Sequence, residues 1–526
     1  MKRRNFIKAT APAAILPFMM NGFSLKAFGR SPLLDEIIAA DPCSDRVFVI
    51  IQLTGGNDGL NTVIPLDQYS AYKNARSNIA VAETGTSAAL KLTNATALHP
   101  QMGGMQQLFN NEQLRIIQSV GYPTPDFSHF RSTDILLTAS DNDEVISTGW
   151  VGRYLDNEFP GFPMNYPNAA MPDPLAIQIG SVISTGFEGP TANVGMAFTD
   201  PNTFYNIVNE KTADSTGVRA GQELAFVRKI GQQITKFAAP VKAAAGKAKN
   251  KSTLYPAART NLLADQLKIV AQLIAGGLKT KIYMVNLGGF DTHASQATGG
   301  TGITSHGTLL NQLSIGITAF QDDLRLLGVQ DRVLGMTFSE FGRRIKSNGS
   351  GGTDHGAAAP FFVFGTSVMP GILGTNPIIP ANPTSEDNIP MQYDFRSVYA
   401  SILKDWFCAS PVSLKATLFK DFQMLPIVKG STGVDELGNP TGVALLGNYP
   451  NPFGSSTLIR FRSGGKHLQI NIFDNTGRSV ATLVDRSLPA GEHEVSFDAS
   501  SLPSGNYYCR LQSGVYQEMK QMLIVK

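Results

Sequence analysis

Ile282-Tyr-Met-Val-Asn-Leu287-Gly-Gly-Phe-Asp291-Thr-His293 and Val333-Leu-Gly-Met-Thr-Phe338-Ser339-Glu340-Phe-Gly-Arg343 decide the fold of this chain. Each is a short apolar run that opens at once into polar residues. Such runs, bounded by glycine and turn formers, are strands buried on both faces, as in parallel sheets covered by helices. A third cluster, Gly352-Thr-Asp354-His355-Gly356, leads into another apolar run, Pro360-Phe-Phe-Val-Phe364. Carboxylates and imidazoles released at the ends of neighbouring buried strands converge on one crevice, where open α/β sheets place their ligands. The expectation is a crevice that holds metal.

The same design appears upstream. Val47-Phe-Val-Ile-Ile-Gln-Leu53 precedes Asn57-Asp58-Gly, and Leu114-Arg-Ile-Ile-Gln-Ser-Val120 opens into a loop ending in Ser128-His129-Phe130-Arg131-Ser132. Leu175–Gly180 is a further strand candidate, and helical patterns such as Leu309–Leu327 lie between the strands. Residues 45–427 therefore read as an α/β domain, a doubly wound and mostly parallel sheet with helices on both faces. Residues 185–260 interrupt the rhythm and read equally as an insertion capping the crevice or as a surface excursion. Residues 428–447, rich in Gly and turn formers, form a linker. Beyond it, residues 448–526 hold short alternating strands separated by turns such as Asn475-Thr-Gly477 and Pro503-Ser-Gly505. That spacing predicts a small antiparallel β-sandwich.

The composition, 42% hydrophobic and 16% charged with 51 Gly and 30 Pro in 526 residues, is that of a globular, loop-rich chain of two or more domains. Residues 1–29 carry a charged start with Arg3-Arg4, an apolar run and small residues around Ala27-Phe-Gly29, the pattern of a removable signal peptide. The paired arginines with Phe6-Ile7-Lys8 resemble a signal read by the twin-arginine translocase. Its apolar run is shorter than the ~20 residues a membrane span needs. Five of the 44 basic residues lie in this segment, which leaves about 39 against 41 acidic in the mature chain. No basic stripe with interleaved aromatics appears, so nucleic acid is not an expected partner. Of the three cysteines, Cys43 and Cys408 flank the main domain and could pair in an oxidising compartment, or all three are small buried residues.

The candidate metal ligands are Asp58, Asp291, His293, Glu340, Asp354 and His355, with His306 able to replace His293. Their number suffices for one ion, or for two that clamp the attacking and leaving oxygens of a displacement. Asp58 has a bland alternative, an Asx turn at a strand-to-helix corner. Ser128, with Ser132 as the alternative, is the candidate nucleophile. It lies at a predicted helix start, where backbone N–H groups suit a phosphate or sulfate, and an ordinary N-cap is the competing reading. His129 and Arg131 complete that cluster, and Arg343 and Arg344 are further candidate anion clamps.

Two families are resembled. Gly-Gly-Asn-Asp58-Gly-Leu-Asn, Ser128-His129-Phe130, Gly-Gly-Phe-Asp291-Thr-His293, Thr-Phe-Ser339-Glu340-Phe-Gly-Arg343 and Gly-Thr-Asp354-His355-Gly make residues ~45–410 resemble the bacterial domain of unknown function 1501, whose members look like the alkaline phosphatase and sulfatase superfamily. The resemblance implies an alkaline-phosphatase-like sheet, with Asp58, Asp291, His293, Glu340 and His355 in the places of that superfamily's ligands. The chain departs from it in three respects: a shorter Asp291-to-His293 spacing, Phe341 after Glu340 where an Asp-His pair would continue, and a nucleophile position that the superfamily pattern does not mark; it also has no Cys-x-Pro-x-Arg element, which counts against a standard sulfatase. Asn448-Tyr-Pro-Asn-Pro-Phe453 and Leu502-Pro-Ser-Gly-Asn-Tyr507 resemble the C-terminal sorting domain of Bacteroidetes type IX secretion substrates, which implies the type IX machinery as partner and a secreted or cell-surface location. The expected function is a metal-dependent hydrolase of small phosphate or sulfate esters using Zn²⁺, Mn²⁺, Ca²⁺ or Mg²⁺, with a non-catalytic surface-displayed binding protein as the alternative. No transmembrane span is expected in the mature chain.

Overall fold

A computed structural model describes residues 19–20, 23–24, 43–201, 236–297, 305–429, 443–474, 478–513 and 516–525. Apart from the pairing of Met19–Met20 with Phe23–Ser24, the expected signal peptide lies outside the described residues, as does most of the expected linker. The chain divides into two compact units, Met1–Lys429 and Gly430–Lys526.

The first unit is built on a nine-stranded sheet. In chain order its strands are β1 (Val47–Thr54), β2 (Leu114–Gly121), β3 (Ala176–Ile179), β4 (Gly195–Phe198), β5 (Ile282–Gly288), β6 (Val333–Ser339), β7 (Ala359–Phe364), β8 (Gly371–Leu373) and β9 (Tyr393–Asp394). They lie in the order β8-β2-β7-β6-β1-β5-β3-β4, with β9 also on β2. All pairings are parallel except the two that β7 makes, with β6 and with β2. The sheet is thus mixed and mostly parallel. β1 occupies the middle and is buried along nearly its whole length, as its unbroken β-branched run requires. Strand β4 lies within the segment read as an interruption; the sheet extends through it before residues 202–235, which lie outside the description.

Helices form two groups around the sheet. In one, α3 (Leu262–Ala275) packs on α4 (Ser305–Leu327); in the other, α5 (Phe395–Asp405) packs on the helix Pro411–Leu418. Residues of both groups join those of the sheet in a single apolar cluster. Between β1 and β2 in sequence lies the short helix α1 (Gly59–Thr62), and α2 (His129–Thr138) follows β2.

The start of β1 is fastened to the end of α5. Trp406 Nε1 donates to the Val47 carbonyl at 3.0 Å, and Arg46 donates to the Asp405 and Trp406 carbonyls. Cys43 and Cys408 are disulfide-bonded, as an oxidising compartment allows.

The second unit contains two antiparallel sheets. Strands β10 (Ala444–Tyr449), β11 (Ser456–Ser463) and β14 (Gly491–Asp498) form one; β12 (His467–Asp474), β13 (Ser479–Ser487), β15 (Gly505–Ser513) and β16 (Tyr516–Ile524) form the other. The buried positions of β11 alternate strictly with exposed ones, the mark of a strand wet on one face. Inward residues of both sheets, among them Phe461, Ile470, Phe497 and Leu511, share one core. Among the described residues no helix is long and apolar enough to cross a membrane.

Breaking the cross-link with Cys408→Ser is expected to lower the stability of the first unit by about 2–4 kcal/mol, because the loop it closes is long. Chemical denaturation of the variant against the oxidised parent reads this, and an unchanged midpoint would show the bond to be idle.

Candidate metal centre

The parallel register aligns the ends of the central strands. Gly288 of β5 pairs with Thr54 of β1, and Ser339 of β6 pairs with Leu53, so the segments after β1, β5 and β6 leave the sheet at one rim. Because β7 is antiparallel to both of its neighbours, β2 runs the same way as β6 and its end opens on that rim too. The antiparallel β7 starts there, and the residues ahead of it form a small hairpin, Gly342–Arg343 against His355–Gly356. Asp58, His129, Asp291, Glu340 and His355 are all delivered to that rim.

There the structure gathers His129, Asp291, His293 and His355. Donor atoms of His129, Asp291 and His355 lie within 4.8 Å of one another. Asp291 Oδ1 is 3.2 Å from His293 Nε2 and 3.3 Å from His355 Nε2; Asp291 Oδ2 is 3.5 Å from His129 Nε2. The Nε2 atoms of His293 and His355 approach to 2.8 Å.

The other nitrogen of each ring is engaged. Nδ1 of His129 is 2.9 Å from Glu340 Oε1, Nδ1 of His293 is 3.1 Å from Asp354 Oδ1, and Nδ1 of His355 is 2.8 Å from the Phe127 carbonyl. Each Nδ1 thus has an oxygen acceptor behind it, and each Nε2 faces inward. This is how oxygen acceptors behind metal-bound histidines fix tautomer and ring orientation. His129 Nε2 is buried without a hydrogen-bond partner. Phe341, itself buried, lies under the imidazoles, its ring centroid 4.9 Å from that of His129 and 4.5 Å from that of His355.

Charge at the centre is set by Arg343. Partial burial works against ionisation of Asp291, but the Arg343 guanidinium at 2.9 Å and the His355 contact bring its carboxyl down to about 2. Asp354 is held below its ordinary range by a hydrogen bond from Asn348. Burial lowers the pKa of His355 and so favours its neutral, ligating form.

Glu340 and Asp354 therefore stand behind histidines. Glu340 is buried, also accepts from the Gly55 amide at 2.7 Å, and reaches the centre through His129. His129, grouped by its sequence position with the serines, stands instead beside Asp291 and His355; its place after a rim-facing strand was the available signal. Close backbone approach assembles the parts: a Cβ on Gly55 would meet the Asp291 nitrogen at 2.3 Å, and one on Gly352 would meet the His293 carbonyl at 2.4 Å.

Three expectations are corrected. Asp58 is engaged by the protein rather than gathered with the imidazoles: it stands at the N-cap position of α1 without a side-chain capping bond, it is fully buried, Arg76 Nη1 lies 2.7 and 2.6 Å from its two oxygens, and Gln296 Nε2 lies 2.5 Å from Oδ2. Burial raises its pKa, yet the Arg76 charge prevails and holds the carboxyl below its ordinary value. Ser132 is buried, with its hydroxyl donating to the Asp126 carbonyl and bonded to Tyr122, so it is not the nucleophile. Arg131 pairs with Asp134 and donates to the carbonyls of Asp141, Asn142 and Glu144, which makes it a loop anchor.

The remaining candidates fall as follows. Arg343 is wholly buried and bonds protein groups, so it is no substrate clamp. Arg344 donates to the His355 carbonyl and to Glu386. His306 is buried against Asn57, and burial pushes its pKa to about 4. Ser128 is exposed at the N-cap of α2, its side chain making no capping bond.

Arg76→Met would leave the Asp58 charge buried and unpaired, at a cost of about 3–5 kcal/mol. Without the guanidinium the folded-state pKa of Asp58 rises above its unfolded value, so the loss grows as pH rises. Urea denaturation at pH 5 and pH 8 should find the larger deficit at pH 8. Glu340→Gln is expected to weaken Zn²⁺ binding about 10–100-fold through His129, measured by chelator competition.

No curated protein matches this sequence. Among solved structures, the chain is similar to a protein in the alkaline phosphatase superfamily from Vibrio parahaemolyticus, with 8% identity, 84% of this chain and 82% of that chain covered, and a TM-score of 0.31. It is similar to the alkaline phosphatase of the Antarctic bacterium TAB5, with 12% identity, 62% and 94% covered and a TM-score of 0.27. It is similar to PorZ, a surface component of the type IX secretion system of Porphyromonas gingivalis, with 19% identity, 19% of this chain and 14% of that chain covered, and a TM-score of 0.12. Likenesses at these TM-scores carry no argument about activity. Residues 233–394 match the profile of the family described as protein of unknown function (DUF1501), and residues 448–526 match that of the secretion system C-terminal sorting domain, so this chain joins a DUF1501 region to a domain that implies secretion to the cell surface or beyond.

Proposed function

We propose that this chain is a secreted or cell-surface hydrolase of phosphate or sulfate esters that works with a divalent ion held by His129, Asp291, His293 and His355. One observation carries the reading: three imidazoles, each with Nδ1 engaged by an oxygen, turn their Nε2 atoms toward a single ionised carboxylate. The unpartnered Nε2 of His129 supports a cation at this point, since an unsatisfied buried polar atom is otherwise costly. Three nitrogens and one carboxylate suit Zn²⁺ better than Ca²⁺ or Mg²⁺, which prefer all-oxygen sites. The set describes one ion, because Glu340 and Asp354 are committed to orienting histidines.

Such an ion, when bound, supplies positive charge for an ester oxygen and lowers the pKa of a hydroxyl beside it. The chain's own residues would do the rest. Asp291, held ionised by Arg343, needs no proton release at the outset. Ser128, next in sequence to His129 and exposed at the start of the ten-residue helix α2, is the attacking group in this reading. The first amides of α2 would hold the anionic oxygens of the substrate, as helix N-termini do. Phe341 and the buried floor would exclude water from beneath the imidazoles.

The proposed processing follows from the chain's ends: removal of residues 1–29 after passage through the twin-arginine translocase, then recognition of residues 448–526 by the type IX secretion machinery.

Elemental analysis of the purified mature protein after dialysis against Zn²⁺ should find about one ion per chain; a protein that takes up no Zn²⁺, Mn²⁺, Ca²⁺ or Mg²⁺ ends the reading. On aryl phosphate and aryl sulfate panels, Ser128→Ala should lose on the order of a thousandfold or more in kcat while still binding the ion. A variant as active as the parent removes Ser128 as nucleophile. Metal uptake without turnover on any ester would instead mark a binding protein.

A further inference from the structure

The most connected buried polar side chain near the centre that none of the above employs is Gln296. It is 1% exposed. Its amide nitrogen donates to Asp58 Oδ2 at 2.5 Å. Its amide oxygen accepts from the hydroxyls of Thr292 and Thr353, at 3.0 and 2.9 Å. Thr292 sits between Asp291 and His293, and Thr353 directly precedes Asp354 and His355. One carbonyl oxygen therefore touches both loops that carry the donors, and the nitrogen of the same amide ties them to the buried Asp58–Arg76 pair.

The backbone joins the same loops as well. Thr353 N donates to the Thr292 carbonyl at 3.2 Å, and Gln296 N donates to the Gly351 carbonyl at 2.8 Å. Asn348 Nδ2 adds bonds to the His293 carbonyl and to Asp354 Oδ1. The shared acceptor adds a buried side-chain link, because the two hydroxyls must stay within bonding reach of one atom. Arg76 extends the brace by donating to the Ile345 and Arg344 carbonyls, beside Arg343.

We propose that Gln296 is a positioning residue: anchored on Asp58, it sets the spacing between the Asp291–His293 and Asp354–His355 loops and thereby the affinity and geometry with which the centre binds a metal ion. This rests on the metal-centre reading above and touches neither ion nor substrate. It also gives Asp58 a role in place of direct ligation: a buried carboxylate that orients the amide so that its oxygen, not its nitrogen, faces the threonines.

The test uses the full mature chain and three variants. Gln296→Leu removes the brace, Thr353→Val removes one of its two bonds with little change of shape, and Gln321→Leu removes a comparably buried amide on α4 as the control. Zn²⁺ affinity is read by chelator competition, ligand geometry by the visible absorption of the Co²⁺-loaded protein, and stability by thermal unfolding. Gln296→Leu should raise the Zn²⁺ Kd about 10–100-fold and shift the Co²⁺ bands, with a smaller change in the same direction for Thr353→Val. Gln321→Leu, which removes an amide nitrogen with no hydrogen-bond partner, should leave Tm no lower than the parent's and both metal readouts in place. If the parent binds Zn²⁺ and Gln296→Leu binds it with the same Kd and spectrum, the inference is overturned while the metal centre stands. Should Gln296→Leu fail to fold, Thr353→Val decides, and parental values there overturn the inference equally. A parent that binds no metal removes the centre and the brace together.

Discussion

Four backbone carbonyls from three separate segments converge on one buried side chain at the rim of the sheet. The Arg343 guanidinium donates to Gly55, Gly56, Phe290 and Thr353, and its remaining reach goes to Asp291. Carbonyl oxygens crowded together in this way repel, and burial denies them water. A planar fork of five N–H donors answers that geometry as the point charge of a lysine cannot. The same cation keeps Asp291 ionised, so the group that gathers the loops also charges the centre they form. Without it the carbonyls of the segments after β1 and β5 and of the hairpin before β7 would lose the donor they share.

Much of the fold was legible because burial on both faces leaves a plain trace. The runs beginning at Val47, Leu114, Ile282 and Val333 are uninterrupted and β-rich, and each became a strand of the predicted kind. Pro360–Phe364 looked the same, yet its strand β7 runs opposite to its neighbours. Periodicity is blind to direction; only the shortness of the connection from Ser339 to Ala359, which holds a hairpin and no crossover helix, carried that information.

The centre was half legible for a related reason. A residue's type and its place at a strand end show that it is near the rim, which sufficed for Asp291, His293 and His355. Whether a carboxylate there meets a metal or a cation of the protein depends on which side chain folds against it. Arg76 reaches Asp58 from the end of the Tyr69–Ala75 helix, a contact no local pattern announces. His129 was assigned by the company it keeps in sequence, the serines of α2, although its neighbours in space are Glu340 and the other imidazoles. Gln296 carried no signal at all, because a glutamine in a polar loop is ordinary until its three partners are known.

The bond between Cys43 and Cys408 spans 365 positions and encloses every strand of the main sheet in a covalent ring. A ring of that circumference cannot be drawn end-first in single file through a narrow aperture. Once oxidised, this chain crosses any further barrier only through an opening that admits more than one strand of backbone at a time. A route that delivers the oxidised chain to the outer surface must therefore accept it already closed into that ring.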